Sequence, residues 1–446
     1  MPKPTSVQAT RAPANQSLTR RSFLQGIASL ATVTALAAAT RGAESPQEEG
    51  SLPIRGDKFK PWTRGCLDLH HISTGRGSSM LAICPDGTVF MVDAGAIYTP
   101  LKYTIAPKPD NSRRPGEWIA RYVGRHLKAA SREEIDFLLV SHFHSDHIGD
   151  YNEKLPLSKT GDYRLTGITD IAEAIPIRKI FDRGFPGYDY PPAYYPPEIL
   201  NLAYENYKQY IEHRKRSGEA VERFKAGSGR QLGLVRDPAA YPTFEIRNLS
   251  SNGHVWKRTG DLTENLFPEI AGLSLRNYPD ENMCSNAIRL NYGGFSYYSG
   301  GDLTNEVGYD NVLWRDIESP VARAAGRVSV AVVNHHGYVN GAGPAFVRAL
   351  EPKAFIVQAW DSAHPTIRPL ANMLSEELYS GPRDVFTTAI KEENVIATRD
   401  LARARSLNGH VVVRVAENAE QFYIEIISNA DESDTVVATH GPYMCG

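Results

Sequence analysis

Seven consecutive residues, Ser141-His142-Phe143-His144-Ser145-Asp146-His147, limit what this chain can fold into more than any other stretch. They follow an apolar, β-rich run from Ile135 to Val140 that reads as a buried strand. His142, His144, Asp146 and His147 place four nitrogen and oxygen donors within six residues. That donor set suits zinc or a similar divalent ion, and its crowding suits two ions better than one. A fold that uses it must leave this strand end open to a cleft.

Three more β-rich runs stop at polar clusters. Thr88–Val92 ends at Asp93-Ala94-Gly95, Phe295–Ser299 at Gly300-Gly301-Asp302, and Val328–Val333 at Asn334-His335-His336-Gly337. Between the runs lie helical patterns: Trp118, Ile119, Tyr122, Val123 and Leu127 recur at helical spacing in 117–130, and 200–216 reads as a further helix. Strands alternating with helices predict an α/β architecture, in which ligands gather beyond the carboxyl ends of the strands. Residues 151–250 differ in texture. The run Tyr188-Asp189-Tyr190-Pro191-Pro192-Ala193-Tyr194-Tyr195-Pro196-Pro197 is aromatic and stiff, and it reads as a Tyr/Pro-rich insertion. Tyr188 and Tyr190 are candidates to stack on a base or a choline-like group, the alternative being rings packed on their own domain.

In chain order these motifs resemble the metallo-β-lactamase-fold hydrolases, and within them the hydrolase domain of the competence protein ComEC. Leu67-Asp68 through Gly75-Arg76-Gly77-Ser78, and Asp86-Gly87 to Asp93-Ala94-Gly95, resemble its opening pattern. The resemblance implies an αβ/βα four-layer sandwich. It also implies that His142 and His144 hold one metal, Asp146 and His147 the other, and Asp302 bridges both. Asp93 would act behind the ligands by orienting the metal loop. His335 and His336 match the late histidine motif, with the ligand of the two undecided. The implied cofactor is zinc, two ions per chain, with manganese or iron also compatible with such donors. Many relatives supply a further zinc histidine before the bridging carboxylate. Only His213 and His254 lie in that interval, and both read as non-ligands: a solvated helix residue and a turn residue. His364, after the strand-like run 353–360, is a weak candidate for substrate contact. His70 and His71 read as structural.

The resemblance implies hydrolysis by metal-activated water, with Asp146 orienting or deprotonating that water as well as ligating. A phosphodiester is the leading substrate, and the ComEC-like resemblance implies a nuclease-like, DNA-degrading or other phosphodiesterase role. A phosphorylcholine-type ester or a lactone would fit the same metals, and a catalytically silent metal-binding protein is the reading of another class. Forty-nine basic against 51 acidic residues leave a net charge of −2, so a global electrostatic grip on nucleic acid is not expected. Four scattered cysteines without a CxxC pair predict buried thiols or at most two disulfides.

The N-terminus reads as an address. Thr19-Arg20-Arg21-Ser22-Phe23-Leu24-Gln25, followed by an uncharged small-and-apolar run from Gly26 to Thr40, resembles a twin-arginine export signal. That implies passage through the twin-arginine translocase to the periplasm or exterior of a bacterium. The expected organisation is a signal over 1–43, a linker over 44–62 and a hydrolase domain over 63–446. The insertion occupies about 151–250.

Overall fold

The computed structural model describes residues 55–99, 101–193, 202–306 and 312–446. The signal-like segment, the first part of the linker and Tyr194–Pro197 lie outside them.

Among the described residues, seventeen strands form two sheets. They are β1 (Leu67–His71), β2 (Ser79–Ile83), β3 (Val89–Ala94), β4 (Ile135–Leu139), β5 (Ile177–Asp182), β6 (Ala220–Arg223), β7 (Glu245–Ser251), β8 (His254–Trp256) and β9 (Thr263–Asn265). They continue with β10 (Ala287–Tyr292), β11 (Phe295–Ser299), β12 (Val330–Val332), β13 (Ala354–Val357), β14 (Asp384–Thr387), β15 (His410–Val415), β16 (Gln421–Ile427) and β17 (Val436–Met444). The helices are α1 (Pro115–Ala129), α2 (Ser145–Ile148), α3 (Ile168–Ala174), α4 (Leu202–Arg216), α5 (Glu318–Ala325), α6 (Pro344–Leu350), α7 (Ile367–Leu374) and α8 (Glu392–Ala397).

The first sheet runs β17-β16-β15-β1-β2-β3-β4-β5-β6, and the second runs β14-β13-β12-β11-β10-β7-β8-β9. Each is antiparallel over part of its width and parallel over the rest: β3 to β6 in the first, β11 to β14 in the second. Parallel neighbours need crossovers, and helices supply them. Parallel pairing also decides the function of the strand ends. The carboxyl ends of β3 and β4 emerge side by side, and so do those of β11, β12 and β13. Those are the ends that carry the unusual polar clusters.

Side-chain alternation builds four layers. One face of each sheet meets the other sheet in a shared core that includes Phe90, Leu139, Phe181, Leu290, Tyr297, Ile356 and Phe422. The opposite face of the first sheet packs on α1, α3 and α4 through Ile119, Val123, Ile171, Tyr207 and Ile211. The opposite face of the second packs on α5, α6 and α7 through Val321, Phe346, Leu350 and Leu370. Strands covered on both faces read as continuous apolar runs, as Val411-Val412-Val413 does in β15. This is the αβ/βα sandwich that the sequence resemblance implies.

Local chemistry agrees with these elements. In α1, Ile119, Tyr122, Val123 and Leu127 form the buried stripe, Pro115 opens the first turn, and Glu117 accepts the Arg114 N–H at 2.9 Å. Trp118 lies beside that stripe, with the guanidinium carbons of Arg113 and Arg121 5.6 and 5.9 Å from its ring centre.

Residues 151–250 are built into the sandwich rather than set apart as an insertion. They supply β5 and β6 to the first sheet and β7 to the second. Their strands are short or partly exposed, which hid them among the tyrosines and charges. All four cysteines are free thiols. Among the described residues, no helix is long and apolar enough to cross a membrane.

Candidate metal centre

Two glycines let the strand ends converge. A Cβ on Gly95, just past β3, would lie 1.7 Å from the Asp146 carbonyl oxygen, so the metal loop rests directly on that backbone. Gly301, at φ +57°, would place a Cβ 2.9 Å from Ser141 Cβ. Its missing side chain lets the end of β11 carry Asp302 against the end of β4. Asp93, His335 and His336 also adopt left-handed backbone angles of φ 57°, 49° and 52°. Such strain in residues other than glycine collects at functional sites.

Six predicted residues meet in this cleft, and their donor atoms fall into two sets. Asp146, His147, Asp302 and His336 form one, with ligand atoms all within 4.8 Å of one another. His142, His144 and Asp302 form the other on the same criterion. In the first set His147 Nε2 lies 3.2 Å from Asp302 Oδ1 and 3.4 Å from His336 Nε2, and His336 Nε2 lies 3.4 Å from Asp302 Oδ2. In the second set His142 Nε2 lies 3.2 Å from His144 Nδ1 and 3.7 Å from Asp302 Oδ2. Donors about 2.1 Å from one tetrahedral ion stand roughly 3.4 Å apart, so these spacings fit zinc coordination. Asp302 belongs to both sets. The residues present fit two ions with a shared carboxylate.

The groups behind the donors fix which nitrogen faces the cleft. Asp93 accepts Ser141 N–H at 2.7 Å and the Ser141 hydroxyl at 2.6 Å, and its Oδ2 lies 2.8 Å from His147 Nδ1. That partner holds the His147 proton on Nδ1 and frees Nε2 as a ligand. His336 does the same with its Nδ1 2.9 Å from the Gln358 carbonyl oxygen. Trp360 donates its indole N–H to Asp146 Oδ2 at 2.8 Å, and His336 Nε2 lies 2.9 Å from the same oxygen. His335 instead turns Nδ1 to Asn340 Oδ1 at 2.6 Å, with Nε2 4.0 Å from Asp302 Oδ2. The pair left open by the sequence therefore separates: His336 stands in a donor set and His335 at its margin.

The charges are strongly coupled. Burial opposes charge on His147, yet the carboxylates of Asp302, Asp146 and Asp93 hold its imidazole well above the ordinary value. Burial likewise opposes charge on His336, but Asp302 and Asp146 raise it to about 9. Asp302 resists burial and stays well below the usual carboxylate range because His336, His147 and His142 face it. Burial, then the neighbouring His147, pushes His142 well below its usual value. Buried carboxylates that demand positive charge at this depth make a place for cations.

The remaining candidates fall outside the donor sets. His364 stacks on His336 with ring centres 4.7 Å apart, and its Nδ1 is buried without a partner. Tyr188 is committed elsewhere, donating its hydroxyl to Asp182 Oδ2 at 2.7 Å and packing its ring against Phe143. Tyr190 packs on the core beneath the second sheet. Both rings are half-buried against their own domain, and neither belongs to a donor set. His213 lies against the Tyr163 ring and His254 opens β8.

Ser141, Gln358, Trp360 and Asn282 were not singled out from sequence. Asn282 Nδ2 lies 3.4 Å from His335 Nε2, and its Oδ1 is buried without a partner. For Ser141 the signal was its place directly before His142; for the others only the fold supplies one.

No family model matches the chain, and no curated protein matches it. Among solved structures it is similar to a protein described as a metal-dependent hydrolase from Parabacteroides distasonis, at 12% identity and TM-score 0.31, over 75% of this chain and 98% of the other. A metallo-β-lactamase from Cronobacter sakazakii, a HARLDQ-motif mutant, is 13% identical with TM-score 0.28, over 63% and 79%. A diphosphatase of the PhnP family is 10% identical with TM-score 0.30, over 78% and 97%.

Proposed function

We propose that this chain is a metal-dependent hydrolase that cleaves small phosphodiesters. One observation carries the reading: two donor sets of nitrogen and oxygen atoms meet at a single carboxylate, Asp302. Paired dications at such sites lower the pKa of water toward 7 and neutralise charge on the oxygens of an in-line displacement.

The chain's own residues prepare that site. His142, His144, Asp146, His147, Asp302 and His336 would hold the ions. Asp93 orients His147 and, through Ser141, the start of the metal loop. Trp360 fixes one oxygen of Asp146, so that its carboxylate keeps one orientation within its donor set. The ring of His364, stacked on His336, shields that ligand from solvent.

An anionic diester suits a cleft built to hold two cations, and the near-neutral net charge favours a small substrate over a polynucleotide. The twin-arginine-like pattern at Arg20-Arg21 supports action outside the cytoplasm, which fractionation of the producing cell tests.

The functional experiment pairs elemental analysis with turnover of bis-p-nitrophenyl phosphate, p-nitrophenyl phosphorylcholine, a lactone and nitrocefin. Two zinc ions and preferred diester cleavage support the proposal. Preference for the choline ester or the lactone replaces the substrate class, and bound metal without turnover of any substrate replaces the enzyme with a binding protein.

A further inference from the structure

We infer that the buried ion pair between Arg183 and Glu281 is the positioning device for the His142–His144 donor set. The inference rests on the two-set metal reading above. Arg183 follows directly on β5, and both side chains are almost wholly buried, 1% and 0% exposed. The guanidinium grips the carboxylate two-pronged, with Nε donating to Oε1 at 2.9 Å and Nη2 donating to Oε2.

Such a pair is a poor investment for stability alone. Desolvating two charges offsets most of their attraction, and an apolar pair of similar volume would serve the core as well. What the pair does instead is local. Glu281 Oε1 also accepts the backbone N–H of Phe143 at 2.7 Å. Phe143 is the one residue between His142 and His144, so its peptide sets the angle between the two imidazoles. The Phe143 ring lies beneath the Arg183 guanidinium, 4.7 Å from ring centre to Cζ.

Arg183 is held in turn by the Tyr190 carbonyl at 2.8 Å and Asn252 Oδ1 at 3.0 Å, while Asn252 Nδ2 donates back to the Arg183 carbonyl at 3.0 Å. The next residue after Glu281 is Asn282, beside His335. One rigid fork thus joins the end of β5, the turn between β7 and β8, the metal loop and the segment before β10 that meets His335. In the other donor set His336 and Asp146 have their own supports in Gln358 and Trp360, and His147 is held by Asp93, which also reaches the start of the metal loop through Ser141. Loss of the pair should therefore weaken one metal position and spare the other, whereas a merely structural role would weaken both.

The test is a zinc titration of the full chain against a chromogenic chelator, comparing wild type with Glu281→Gln, Arg183→Lys and His142→Ala. Glu281→Gln keeps the shape and removes the charge, and Arg183→Lys keeps the charge and removes the fork. Both should raise one dissociation constant about 10–100-fold, the size typical of groups that orient ligands, and leave the other within about 3-fold. The step affected should be the one that His142→Ala abolishes, with cooperative thermal unfolding of the metal-free variants retained. If either folded variant keeps both constants unchanged, or loses both ions in parallel, the assignment is overturned. A wild-type chain that binds fewer than two ions overturns the two-set reading itself, before any variant is compared.

Discussion

Asp302 turns one oxygen to within 3.2 Å of His147 Nε2, while its other oxygen lies 3.7 Å from His142 Nε2. The two histidines share the loop after β4, and the carboxylate comes from the end of β11 in the opposite sheet. Each donor set therefore depends on both sheets being docked. Asp302→Ala should remove zinc from both positions and reduce diester turnover to background, with circular dichroism unchanged. Elemental analysis beside a turnover assay reads this directly, and retention of two ions would contradict the bridging role.

Asp93 acts one step back. Its carboxylate holds His147 by Nδ1 and Ser141 by both backbone and hydroxyl. Asp93→Asn keeps the volume but loses the charge that fixes the imidazole tautomer. Metal affinity should fall about 10–100-fold, with turnover restored by excess zinc. Turnover lost irretrievably at saturating zinc would show that Asp93 does more than orient.

Leu290 lies fully buried between the sheets. Leu290→Ala should cost about 2–5 kcal/mol in urea unfolding through lost transfer energy and the cavity left behind. Zinc stoichiometry should stay at the wild-type value in the folded fraction. This variant separates global stability from the effects read at the metal ligands.

Acid should destabilise the metal-free chain. Burial holds the imidazoles of His71 and His126 at about 4 and that of His410 at about 3. Their folded pKa values lie below the unfolded value near 6.5, so each contributes stability above pH 6.5. That contribution, up to about 3 kcal/mol each, is lost as pH falls toward 4 because only the unfolded chain takes up the protons. Burial raises Glu318 to about 7, and it works in the opposite sense: its stabilising proton is lost as pH rises from about 4.5 to 7. Urea unfolding at pH 7 and pH 5 should show a net loss at the lower value, and His126→Leu should flatten the slope by about one proton. An unchanged slope would mean that His126 is protonated in the folded chain.

The sequence by itself determined the strand ends and their chemistry. Periodicity places β3, β4, β11 and β12, and polar residues after buried apolar runs mark where a cleft must open. Histidine and aspartate at those ends are intelligible as ligands without coordinates, because donor type and local spacing are properties of the chain. Only the tertiary structure decided which donor atoms lie together. It chose His336 over His335 through the Gln358 carbonyl, and drew Tyr188 inward to Asp182. It also brought Glu281 to the Phe143 peptide across 138 positions. Those outcomes depend on hydrogen-bond direction between segments distant in sequence, and no local pattern of residue types encodes a direction in space.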